Sequence, residues 1–196
     1  AKHQLDPTWV AAEIRAESVF NPRARSHADA RGLMQVLPST GAGVARSIGL
    51  DWRGGEALYD SEYNIMLGTA YLRQLEDKYT QTYLAIAAYN AGPAPVARWM
   101  SQRPGMPADL WIETVSYKET RDYIARILAF SVIYDWRLNG KAMPVTDRLA
   151  GRIVDTRKAF VCPAPEPASG ATTPAASPDN GQPAGSAAGD DAQGDA

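Results

Sequence analysis

The chain has 196 residues, with 20 Lys and Arg against 22 Asp and Glu, for a formal net charge of −2. No stretch reaches the ~18 consecutive apolar residues that a membrane-spanning helix needs, and no basic stripe interleaved with aromatics marks a nucleic-acid surface. A single cysteine, Cys162, rules out an intrachain disulfide, and two histidines, His3 and His27, without close ligand spacing argue against zinc.

Composition breaks near residue 162. Residues 1–162 hold all 20 basic residues and 17 of the 22 acids, net +3, and are long enough to bury a core. Residues 163–196 hold five acids and no base, net −5, with no aromatic or large aliphatic side chain. Such a segment cannot bury enough apolar surface to offset the entropy of ordering. The expected organisation is one folded domain over 1–162 and a disordered tail rich in Ala, Pro, Gly and Ser over 163–196.

The first part reads as helix after helix, with no long alternating run to argue for a sheet, so an all-α fold is expected. Asp6 is a capping residue with Pro7 at the first helical position. Val10, Ile14 and Glu17 then share one face, and Trp9, Ala12, Ala16 and Phe20 an adjacent one; Asn21-Pro22 is the predicted end. A polar, basic loop leads to the short apolar run Gly32–Leu37. Pro38 opens a second helix through Ile48, closed by Gly49. Asp60 caps a third, with Ile65, Gly68, Ala70, Leu72 and Leu75 inward as far as Tyr79. Thr80 is the predicted cap of a fourth, Gln81–Asn90. Its Leu84–Tyr89 stretch is apolar nearly all round and predicts burial on several sides, with Gly92 as a left-handed stop. Pro93–Met100 reads as a short helix. Ser116-x-x-Glu119 is a capping-box pattern ahead of a long helix. That helix turns Tyr123, Ile124, Ile127, Leu128, Ser131 and Tyr134 inward and stops at Gly140. Residues 141–162 carry no clear pattern.

Glu17 stands near the C-terminal end of the first helix, on a partly apolar face. Partial desolvation and the negative end of the helix dipole both disfavour its charge. A general acid at neutral pH requires such a raised proton affinity. The same position also suits a solvated glutamate at the rim of a core. Likewise Gly32–Gln35 has an ordinary reading as a helix start, Tyr89–Gly92 as a helix end, and Glu119 with Arg121 as an exposed pair.

Four blocks in order nevertheless form a pattern. They are Glu17-Ser18-x-Phe20-x-Pro22 with Ser26 and Gly32-Leu33-Met34-Gln35; Asn64-Ile65-x-x-Gly68-x-x-Tyr71-Leu72; Ala88-Tyr89-Asn90-Ala91-Gly92 with Val96 and Trp99; and Glu119-Thr120-Arg121-x-Tyr123. Together they resemble the catalytic domain of the soluble-type lytic transglycosylases, a group related to goose-type lysozyme, over residues 6–140. The resemblance implies a lysozyme-like helical domain with a substrate cleft. It implies Glu17 as the lone catalytic acid/base, with Ser26, Met34, Gln35, Tyr89, Asn90 and Glu119 binding substrate. Tyr89 resembles the tyrosine whose hydroxyl lies near the catalytic carboxyl. Structural readings stand beside these: Ser26 as a loop brace, Met34 as core filler, Tyr89 as a core tyrosine, Asn64 as a hydrogen-bonding brace, Glu119 as a helix cap. One departure is Asp29-Ala30-Arg31-Gly32 where the family often has Gly-Ala-x-Gly; a positive φ at Asp29 is tolerable at modest cost.

The implied reaction is cleavage of the MurNAc–GlcNAc β-1,4 bond of peptidoglycan with a 1,6-anhydromuramoyl end. It needs no metal or organic cofactor. The partner is the glycan strand, the protein is expected to be a monomer, and the expected location is the periplasm, with secretion or a phage origin as alternatives. A true hydrolase using Asp29 or another acid to position water, and an inactive glycan-binding module or structural partner, are the competing readings.

Overall fold

The computed structural model describes residues 5–149. His3, Cys162, the boundary at 162 and the tail over 163–196 lie outside the described residues. Among the described residues eight α-helices follow in order: α1 Pro7–Ser18, α2 Pro38–Ser47, α3 Ser61–Tyr79, α4 Thr82–Ala91, α5 Pro93–Gln102, α6 Ala108–Glu113, α7 Lys118–Asn139 and α8 Val145–Leu149, with a 3₁₀ turn at Gly55–Tyr59. Among the described residues there is no strand, only isolated bridges pairing Arg25 with Arg31 and Arg31 with Val36. The fold is all-α, as the sequence predicts.

Local chemistry explains several helix ends. Asp6 caps α1, its carboxylate accepting the Thr8 amide, and Pro7 supplies the first residue. Asp60 caps α3 in the same way, accepting from Tyr63. Gly140 ends α7 at φ 71, a left-handed residue. Gly92, at φ 85 and ψ 158, occupies a region nearly confined to glycine and turns the chain from α4 straight into Pro93 of α5.

Other ends differ from expectation. α1 stops at Ser18, before Asn21-Pro22, because Val19 and Phe20 both take positive φ, 53 and 62. Thr80 closes α3 in a left-handed conformation and does not cap α4, which begins at Thr82 without a side-chain cap. The capping box at Ser116 and Glu119 does not form either: α7 starts at Lys118 with Tyr117 as its cap residue, so Glu119 sits one position too early to reach back.

The core forms where α1 lies along α7 and where α4 packs against α3, α5 and α7. Every residue from Thr82 to Ala88 is buried, which fits a central helix whose alanines let neighbours approach closely. Leu67, Leu72, Ile86, Ile124 and Ile127 are fully buried, each contributing roughly 1.5–3 kcal/mol. The inner faces differ in detail from the periodic pattern. In α3, Tyr63, Asn64 and Leu67 are buried and Ile65 only partly. In α7, Asp135 is buried and Tyr134 only partly.

The short α8 is tied down by a buried cation. Arg148, 4% exposed, donates to Asp135 on α7 at 2.6 Å and to Asp6 at 3.1 Å. Asp6 therefore caps α1 with one oxygen and anchors α8 with the other. Asp135 also accepts the Met143 amide, drawing the 140–144 link against the body.

Candidate active site

The loop between α1 and α2 is folded by one buried amide. Asn64 of α3 is fully buried; its Oδ1 accepts the Met34 amide, and its Nδ2 donates to the carbonyls of Arg31 and Leu58, all at 2.8 Å. Both amide hydrogens and the carbonyl are satisfied, so removing this side chain leaves three main-chain groups without partners. Gly32, at φ 75, presses against this amide; a Cβ there would lie 2.1 Å from the Leu58 carbonyl oxygen. Gly68 opens the slot that takes the Met34 side chain. Met34, expected to line a cleft, is fully buried with its side chain in that slot. Its carbonyl accepts the Tyr89 hydroxyl at 2.7 Å.

Glu17 lies in the last turn of α1 and is half-buried. Its Oε1 is 2.5 Å from the hydroxyl of Tyr123 on α7. Burial lifts its pKa from 4.5 to about 7; the Tyr123 hydroxyl and the Arg126 guanidinium pull it back, and the charge of Glu119 pushes it up. At neutral pH this carboxyl is poised between acid and base.

The same phenol reaches a second carboxyl. Glu13, one turn earlier on α1, is 0% exposed. Its Oε1 accepts the Trp9 indole N–H at 2.8 Å, and its Oε2 is in hydrogen-bond contact with Tyr123. Burial raises its pKa to about 8 against the pull of the Tyr123 hydroxyl, with the Glu17 charge adding to the rise. Sequence reasoning overlooked Glu13. Its four-residue spacing from Glu17, on the side of α1 that carries Trp9 and Ala12, was the available signal.

The remaining candidates fall around this centre in different ways. Tyr89 is half-exposed and stacks beside Tyr71 at 5.4 Å between ring centroids. Burial of its hydroxyl, followed by the charges of Glu17 and Glu13, raises its pKa well above 10.0. Its hydrogen bond nevertheless goes to Met34, and Tyr123 is the tyrosine whose hydroxyl touches Glu17. Asn90 accepts the Thr120 hydroxyl at 2.7 Å, joining the end of α4 to the start of α7. Glu119 is exposed and acts on Glu17 through its charge. Gln35, at φ 46, donates to the carbonyls of Ala24 and Gly32 and so braces the loop. Ser26 is exposed and accepts the Ala30 amide at 3.0 Å, closing its own turn.

Asp29 does take the positive φ, 68. Its carboxylate is held by Arg31 and Arg25, which lower its pKa through hydrogen bonds and charge. Among the described residues no group of three His, Cys, Asp or Glu side chains comes together as a metal site, and no helix is long and apolar enough to cross a membrane.

Comparison with known proteins agrees with this architecture. The chain is 32% identical over 146 residues to the soluble lytic murein transglycosylase of Salmonella typhimurium, covering 73% of this chain and 23% of that protein. It superimposes with a TM-score of 0.70 and 37% identity on an inactive glutamate-to-glutamine mutant of the lytic transglycosylase Slt from Pseudomonas aeruginosa, over 74% of this chain and 24% of that one. The 70 kDa soluble lytic transglycosylase of Escherichia coli gives a TM-score of 0.69 at 29% identity, again over 74% and 24%. The chain thus spans about a quarter of the length of these relatives. The family model described as Transglycosylase SLT domain matches residues 1–112, more than half of the sequence, and the chain belongs to that family.

Proposed function

We propose that this chain is the catalytic domain of a peptidoglycan lytic transglycosylase, that it cleaves the MurNAc–GlcNAc β-1,4 bond, and that Glu17 is its acid and base. The observation that carries this is a half-buried carboxyl with a pKa raised to about 7, oriented by a buried phenol. Family membership and the names of the relatives support it.

In the reaction Glu17 donates its proton to the glycosidic oxygen as the C1–O bond breaks. The neighbouring 2-acetamido oxygen meets the positive charge at C1. The Glu17 carboxylate then takes the proton of the muramoyl C6 hydroxyl as that oxygen attacks C1, leaving a 1,6-anhydromuramoyl end and a protonated Glu17. The nucleophile is already part of the substrate, so proximity favours it over water. In this reading Asn90, Glu119 and Gln35 meet sugar hydroxyls and amides, Tyr89 walls the site, Met34 backs that wall through its bond to Tyr89, and Ser26 shapes the loop beside them. The glycan strand is the partner, and the periplasm the location.

A hydrolase needs a second carboxylate to activate water. Asp29 suits that role poorly, because its oxygens are occupied by two guanidinium groups. Digestion of purified murein followed by mass spectrometry tests the proposal. Anhydro ends that vanish in Glu17→Gln, with the fold retained, are expected. Reducing muramic ends, or near-wild-type turnover in that variant, would overturn it.

A further inference from the structure

The three oxygens Glu13 Oε2, Tyr123 Oη and Glu17 Oε1 form a continuous chain of two hydrogen-bond contacts. A phenol has one proton to give. If both carboxyls were ionised, one contact would set an anionic oxygen against a phenol lone pair in a buried site, which is strongly unfavourable. The second contact therefore requires a proton on a carboxyl. The other Glu13 oxygen is already committed to the Trp9 indole. The groups facing this chain are Glu13 and Glu17 from α1, Tyr123, Arg126 and Glu119 from α7, and Tyr89 from α4. Arg126 is the cation among them, and it acts on Glu17.

We infer that Glu13 is a positioning residue for the reaction: a buried carboxyl that shares one proton with Glu17 through the hydroxyl of Tyr123. This rests on the reading of Glu17 as the acid and base. With the proton on Glu13, that carboxyl donates to Tyr123 Oη, and the phenolic hydrogen points to Glu17 Oε1. The proton returns by a paired shift: Glu13 gives its proton to Tyr123 Oη while Tyr123 gives its own to Glu17 Oε1. The phenol is regenerated and one negative charge moves from Glu17 to Glu13. Glu17 is thus kept in its acid form at a pH where an isolated carboxyl in the same place has already ionised. The returned proton lies on Oε1, and rotation of the Glu17 carboxyl carries it from Tyr123 to the sugar; in the carboxylate form the phenol donates to Oε1 and Oε2 is left to take the C6 hydroxyl proton.

Glu13→Gln separates this role from simple packing. A glutamine can accept from Trp9 through Oε1 and donate to Tyr123 through Nε2, so it copies the protonated form and cannot ionise. Two readouts are compared on the same chain: the pH–rate profile on murein, and ¹³C NMR titration of the glutamate δ-carbons. In the wild type the Glu17 and Glu13 carbons are expected to titrate together in two shared steps. In Glu13→Gln, Glu17 titrates in one step, and the alkaline limb of the rate retracts by about one pH unit. Tyr123→Phe, which cuts the link but keeps Glu13, is expected to replace the shared steps by separate single steps for the two carbons, and it serves if Glu13→Gln does not fold. Titration curves and rate profiles that superimpose on the wild type in both variants overturn the inference, while an inactive Glu17→Gln leaves the functional reading standing. An active Glu17→Gln removes that reading and the inference with it.

Discussion

Gly68 offers a test of how the core holds the site. An alanine Cβ at this position comes 2.5 Å from Met34 Sδ and 2.8 Å from Met34 Cβ. Carbon atoms in good contact sit ~3.5–4.0 Å apart. The sulfur can swing away, but the Met34 Cβ moves only with its backbone. That backbone is fixed at its amide by Asn64 and at its carbonyl by Tyr89. Overpacking of this kind costs roughly 1–3 kcal/mol. Against it stands the gain of alanine over glycine inside a helix, about 1 kcal/mol. The clash with a main-chain-bound atom exceeds that gain, so Gly68→Ala is expected to lose about 1 kcal/mol net. Because the strain is delivered to Met34 and Tyr89, turnover should fall further than stability; a displacement of 1 Å can cost about 100-fold.

The control is Gly43→Ala on α2, where an added Cβ meets nothing within 4 Å. It carries the same propensity gain without the clash, and should stabilise by up to about 1 kcal/mol with unchanged turnover. Urea unfolding gives the stabilities, and clearing of a murein suspension gives the rates. If Gly68→Ala matches Gly43→Ala in both assays, the Met34 slot does not position the site.

Two further outcomes follow from the buried charges. Glu13 has a folded pKa of about 8 against an ordinary 4.5, so between those values the folded state keeps a proton that the unfolded chain has lost. Stability contributed by Glu13 is complete below about pH 4.5 and is lost as pH rises through about 8, by roughly 3–5 kcal/mol in total. Urea unfolding at pH 5 and pH 8.5 should show a larger loss in the wild type than in Glu13→Gln, where only the share of Glu17, raised from 4.5 to about 7, remains; equal losses would refute it. Arg148→Met strands two carboxylates, Asp135 and Asp6, and should cost about 3–5 kcal/mol, with a milder loss when Asp135→Asn accompanies it. A single-variant cost within ±0.5 kcal/mol would show that the clamp does not hold α8.

How much of this was legible in the sequence depends on whether the cause was local. Asp6-Pro7, Asp60 and Gly140 act on their own neighbours and could be read directly. The all-round apolar run of α4 announced a central helix. The Asp29 backbone was also legible, because few side chains tolerate that conformation. Glu17 was found because a carboxylate among apolar neighbours late in a helix is chemically odd. Tyr123 stands within a motif, but that its hydroxyl bonds Glu17 while that of Tyr89, which also feels the Glu17 charge, bonds Met34 is not legible, since only packing decides which hydroxyl meets which oxygen. Met34 and Asn64 form their contact across 30 residues, which no period reveals. Arg148 lies in a stretch without a pattern, and its two partners are far apart in sequence.

The end of α1 ties these strands together. Val19 and Phe20 follow Ser18 at positive φ, a conformation that is costly for a β-branched and an aromatic residue and is not the choice that local propensity would make. Had α1 continued regularly to Asn21, another helical turn would stand over Glu17. Because it stops at Ser18, Glu17 lies in the final turn and remains half-exposed, while Glu13, one turn back, is sealed. One helix thereby presents two carboxyls at different depths to one phenol: the outer can meet a substrate and the inner cannot. Strain at the helix end and the burial of Glu13 are both unfavourable in isolation. They are tolerated together because α1 lies along α7 over much of its length, and that packing holds Tyr123 against both groups.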